Sequence, residues 1–149
     1  MLKILSFSFL LFFFLACEVA PVAIEYNVDQ CSACKMMIAD AQFGSELVTT
    51  KGKVFKYDAI ECLVPEVNTK GELHFAFILV SNFNQPANLI DARNAYFVVS
   101  KSRPSPMGGF LSAYVSESEA KTALAEVGGE LYDWNALLKM KRYAQGSKE

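Results

Sequence analysis

One pattern occurs twice in this 149-residue chain and limits its fold more than any other feature. The first copy is Gly52-Lys53-Val54-Phe55-Lys56-Tyr57-Asp58-Ala59-Ile60, and the second is Gly129-Glu130-Leu131-Tyr132-Asp133-Trp134-Asn135-Ala136-Leu137. Seven aligned positions keep their character: Gly, aliphatic, aromatic, aromatic, Asp/Asn, Ala, aliphatic. Each copy reads as a glycine turn, a short strand and a helix capped by Asp58 or Asn135. A chain this short supports one core. The expected fold class is therefore α+β, with two related small β-hairpin/helix halves, about 31–80 and 89–149, packed about a pseudo-two-fold axis.

The intervening elements follow from local pattern. Ile24 to Val28 reads as a first strand. Glu46 to Thr50 and Val54 to Tyr57, on either side of a Gly52 turn, read as a hairpin. A helix from Ala59 to about Val67 is limited by Pro65. Leu73 to Val80 is apolar almost throughout and predicts a strand buried on both faces, with His74 in it, followed by a polar loop over 81–88. Tyr96 to Ser100 and Phe110 to Val115 are strands around a loop with two prolines and two glycines. Ser116 and Glu119 open a helix by capping-box logic, and Gly128-Gly129 closes it near Val127. A terminal helix is expected over Trp134 to Tyr143.

The N-terminus reads as a leader. Lys3 precedes an apolar run, Ile4 to Leu15, too short to span a bilayer and of the size of a signal-peptide core. Leu15-Ala16-Cys17 then resembles a bacterial lipobox, although Phe14 stands where leucine is usual. The expected organisation is a signal peptide over 1–16, a lipidated Cys17 with a tether over 17–30, and the folded domain over 31–149. That places the chain in the cell envelope, membrane-anchored and facing the periplasm. Loss of Lys3 leaves 13 of the 14 basic residues against 16 acidic ones, net −3. Such a balance, with no basic block, argues against a nucleic-acid partner.

Cysteine usage carries the chemistry. With Cys17 lipidated, Cys31, Cys34 and Cys62 remain, an odd number, so at least one thiol stays out of any intrachain disulfide. Cys31-Ser32-Ala33-Cys34-Lys35-Met36-Met37 puts two thiols and two thioethers into seven residues. Soft donors select Cu(I), zinc or iron–sulfur clusters, and thioethers favour Cu(I) among these. Met107 lies in a turn-rich loop, Ser105-Pro106-Met107-Gly108-Gly109. It stands 22 residues before Gly129, as Met36 stands 16 before Gly52, so the two methionines occupy roughly equivalent places in the two halves. Packed about a two-fold axis, they would face one another.

Cys31-x-x-Cys34-x-Met36-x-Ile38-x-Asp40, then Gly52, Phe55-x-Tyr57-Asp58-Ala59-Ile60, Asp91-Ala92, Ala95-Tyr96, Pro106-Met107-Gly108, Ala113-Tyr114 and Gly128-Gly129 together resemble the NosL family. These are lipoprotein copper chaperones for nitrous oxide reductase maturation. The resemblance implies a Cu(I) carrier rather than an enzyme, working with a NosDFY-type ABC transporter and nitrous oxide reductase. One cysteine of the Cys31/Cys34 pair and Met107 would be the principal ligands. Met36, in the methionine place of the family's C-G-M motif, would be a third. Lys35 replaces that motif's glycine. A homodimer sharing one copper is compatible with this reading.

Other chemistries have less support. A thioredoxin-like use of Cys31/Cys34 lacks the preceding aromatic and the following long helix. A zinc site from Cys31, Cys34, Cys62 and His74 has permitted ligands but no second paired knuckle. A structural lipoprotein would pair Cys31 with Cys34 as a disulfide. Cys62 is expected to be a buried apolar thiol. One histidine and no G-x-S-x-G motif leave little for hydrolysis.

Overall fold

In a computed structural model, residues 18–144 are described; the segment expected to be a leader, and Cys17, lie outside them. The hairpin around Gly52 forms as expected, with β1 (Ser45–Thr49) antiparallel to β2 (Val54–Tyr57) and Leu47 opposite Phe55. Gly52 makes its turn at φ +81, a conformation only glycine adopts freely. Helix α1 (Ile60–Lys70) follows and runs through Pro65 to end at Gly71, also at φ +81. Its N-cap is Ala59, without a side-chain cap, so Asp58 does not play the expected role. The Asp58 side chain instead meets the Ala39 amide.

A 3-10 turn (Glu72–His74) leads into β3 (Phe75–Asn82). Leu73 and His74 are thus outside the strand, and Leu73 is 96 % exposed. The polar segment expected as a loop is instead the tip of a hairpin, in which β4 (Gln85–Asp91) pairs antiparallel with β3. β4 is mostly exposed, and its two residues that pack on the core, Leu89 and Ile90, are adjacent, so no alternation marks it in the sequence. The expected strand over Ile24 to Val28 is absent. Ile24 is buried singly, and the chain turns over 26–28.

The second half contains β5 (Tyr96–Val99), β6 (Leu111–Tyr114), α2 (Glu117–Val127) and β7 (Glu130–Asp133). α3 (Trp134–Leu138) and α4 (Lys141–Ala144) then replace the expected single terminal helix. Ser116 caps α2 by accepting the Glu119 amide. Asp133, not Asn135, caps α3 through the Ala136 amide. The second helix therefore starts three positions earlier in the repeat than α1, and Trp134 is its first residue rather than a strand aromatic.

The strands form one sheet in the order β2-β1-β3-β6-β5-β7, with β4 on β3. The two strands of the repeat, β2 and β7, occupy its opposite ends. Its centre is a parallel contact of β3 with β6 through one residue pair, Asn82 and Ala113. α1 and α3 cover one face, burying Leu63, Val64, Val67, Trp134 and Leu137 against Leu47, Ile78, Phe97 and Leu111. Each such side chain contributes roughly 1.5–3 kcal/mol by leaving water. α2 covers the other face through Ala120 and Ala123 on Val98 and Tyr114.

The chain before β1 is fastened to the edge of the sheet. Glu46, buried in β1, accepts the Val22 amide at 2.9 Å. Lys56 of β2 donates to the Ala23 carbonyl and to Asp29, both at 2.7 Å.

Candidate metal centre

The cysteine stretch folds as a small closed loop on β2. Gln30 bridges Met37, and the Cys31 amide donates to the Met36 carbonyl at 2.8 Å. The Lys35 amide returns to the Cys31 carbonyl at 3.1 Å. Ser32 anchors the loop by donating its amide to the Lys56 carbonyl at 2.7 Å. Lys35 sits at φ +66, the left-handed geometry that glycine takes most easily. Its ammonium donates to the Ser32 carbonyl at 2.7 Å.

Cys62 lies in the first turn of α1, directly across from this loop. The sulfurs of Cys31, Cys34 and Cys62 all lie within 4.8 Å of one another, and all three are free thiols. The Cys31 sulfur meets the Cys62 thiol and the backbone amides of Asp58, Cys34 and Ala33. These hydrogen bonds, the Cys62 thiol first, hold its pKa well below the usual thiol value, against the effect of burial. Cys62 is pushed up, first by that shared bond and then by burial, and Cys34 is pushed up chiefly by burial. Of the three, Cys31 is the one whose surroundings most favour the anion. Two members are buried, Cys31 at 0 % and Cys62 at 8 % exposure, and Cys34 is half-buried at the surface.

The methionines stand differently. Met36 is 45 % exposed, and its carbonyl rather than its thioether holds the loop. Met107 is half-buried and packs on the core. Its loop is fastened to the turn of α1 that carries Cys62: Ser105 donates its hydroxyl to Glu61, and the Leu111 amide reaches the same carboxylate at 3.4 Å. A Cβ on Gly109 would come within 2.2 Å of Glu61, so only glycine lets the loop lie this close. Tyr143 adds a hydrogen bond to the Gly109 carbonyl at 2.5 Å.

Among the described residues the structure therefore brings Cys31, Cys34 and Cys62 together and draws the Met107 loop to the same end of α1. His74, exposed in its 3-10 turn, is not in the group, which removes the four-ligand zinc set. Cys62 is buried as expected, but against two thiols rather than in apolar surroundings alone. The odd cysteine count is the one sequence signal for it.

The NosL family model matches residues 21–140. The chain belongs to the NosL family. Its fold is similar to a solved copper chaperone NosL from Shewanella denitrificans, with a TM-score of 0.66 and 22 % identity. The likeness covers 79 % of this chain and 95 % of that one. No curated protein matches the sequence. The α+β reading and the family resemblance thus both hold.

Proposed function

We propose that this NosL-family chain is a lipid-anchored envelope protein that binds Cu(I) and passes it on by ligand exchange, without catalysing a reaction. The observation that carries this reading is the group of three free thiols within 4.8 Å, a donor set that suits a soft monovalent cation. The likeness in fold to the Shewanella denitrificans protein, a copper chaperone, supports it. Thiolate supplies strength, and thioether supplies softness without needing to lose a proton. Cys31 and Cys34 are the proposed donors, Met107 packs at the same end of α1 as an outer partner, and Met36 stands at the rim where an incoming ligand would arrive. A low coordination number leaves room for that ligand. Copper needs no change of oxidation state.

By the family resemblance, the client is nitrous oxide reductase, served with a NosDFY-type ABC transporter. Lipid on Cys17 would hold the carrier at the membrane surface on the periplasmic side.

The test is anaerobic Cu(I) titration of the full chain in detergent against a cuprous chelator, with Met107→Ala beside the wild type. Stoichiometric binding that weakens about tenfold or more in the variant is the expected result, since even outer partners of a metal site typically account for about that much. Binding indifferent to Met107 would show that its loop takes no part in the site. No uptake by the wild type would end the copper reading.

A further inference from the structure

The family resemblance allots copper to one cysteine of the Cys31/Cys34 pair, to Met107 and to Met36, and gives Cys62 no part. We propose that Cys62 is the third ligand of a trigonal, three-thiolate Cu(I) site with Cys31 and Cys34, and that Met36 and Met107 both lie outside the primary set. This rests on the copper-carrier reading above and gives it a specific coordination.

The geometry is close to what such a site needs. A cation at about 2.3 Å from each of three sulfurs, the usual metal–thiolate length, requires sulfur–sulfur separations of about 4 Å. The three sulfurs already lie within 4.8 Å, so closure on the metal takes a side-chain adjustment and no rearrangement of the fold. They are presented by two separately anchored pieces of backbone. Cys31 and Cys34 ride on the loop held to β2 through Ser32, and Cys62 rides on α1.

The surroundings fit the charge. Three thiolates and one Cu⁺ leave two negative charges, and binding releases the thiol protons to solvent. Backbone amides already point at the sulfurs, those of Ala33, Cys34 and Asp58 at Cys31 and that of Met36 at Cys34. Cys62 stands in the first turn of α1, where the helix dipole favours a thiolate. The thioether of Met36, by contrast, is on an exposed side chain. The site is then asymmetric, with two ligands buried and Cys34 outermost, so exchange with an acceptor begins at Cys34.

Copper K-edge X-ray absorption of the Cu(I)-loaded full chain in detergent, paired with chelator competition, tests the assignment. The wild type is expected to show three sulfurs at one short distance. Cys62→Val, which keeps a buried apolar group of similar size, should show a lower sulfur count and bind Cu(I) more than about 100-fold more weakly, beyond the roughly 10–100-fold that outer partners usually cost. Cys62→Ala gives the same readout if the branched side chain does not pack. Met36→Leu should leave the sulfur count unchanged. An unchanged count and affinity in the Cys62 variants would overturn the third-ligand assignment while leaving the carrier reading intact. Absence of Cu(I) uptake by the wild type would instead overturn the carrier reading and this assignment with it.

Discussion

Lys35 shows what one residue contributes at the cysteine loop. The loop turns at this position with φ +66, and a side chain there costs about 1 kcal/mol relative to glycine. The ammonium recovers part of that by donating to the Ser32 carbonyl across the loop. It also places a positive charge beside the proposed Cu(I) site. Lys35→Gly is therefore expected to leave stability within about 1 kcal/mol of the wild type, the relief of strain being offset by glycine's greater unfolded-state freedom. Cu(I) affinity should rise, most clearly at low salt, where charge is least screened. Chelator competition at two ionic strengths checks this, and equal affinities would show that solvent screens the ammonium from the sulfurs. At this scale the sequence reveals the local chemistry well: C-x-x-C, the neighbouring methionines and the Lys35 departure are all contiguous. Cys62 is not legible in the same way. It is separated from Cys34 by a hairpin and meets it only because β2 and α1 set both against one corner of the core.

Elements are legible where a side chain or glycine fixes a boundary. Ser116 caps α2 as its spacing from Glu119 indicates, although the Glu119 carboxylate serves Asn84 rather than closing a capping box. The hairpin around Gly52 is written in its apolar runs and its glycine. β4 is not legible, because its pairing with β3 is a tertiary fact carried by a mostly exposed strand without alternation. The local pattern predicts a continuous terminal helix, yet the chain breaks between Leu138 and Lys141 to bring Tyr143 under the Gly109 loop. Gly129 illustrates the firm cases. It enters β7 at φ +110, and a Cβ there would lie 2.1 Å from the Val99 carbonyl oxygen of the neighbouring strand. Gly129→Ala should destabilise the protein by about 2 kcal/mol or more, through backbone strain and the forced opening of the β5–β7 edge. Urea unfolding measures it, and a midpoint equal to the wild type's would mean the strand shifts at no cost.

For the whole molecule, the single residue pair at the centre of the sheet leaves much of the cohesion of the two halves to side chains: the helices on the larger face, and Glu61 beneath the Met107 loop. Glu46 does comparable service at the edge, and burial raises its pKa, with Lys56 acting against the rise. The sign follows from linkage: a carboxyl whose folded value is raised contributes stability that is present below its unfolded pKa and lost as pH rises through the folded one. Glu46→Gln keeps an acceptor for the Val22 amide without the charge. The two proteins should therefore melt alike near pH 4, and the variant should be the more stable at pH 7. A constant difference across that range would show that the charge is fully compensated.

The same edge has a mechanical consequence. Val22 and Ala23 are each tied by a hydrogen bond to the β1–β2 ribbon, eight residues or more before Cys31. A pull on the N-terminal end is delivered into the sheet at those two points, as a cable clamp relieves a connector. The sulfur loop lies beyond both points, so a displacement of residues ahead of Val22 meets the sheet before it reaches Cys31.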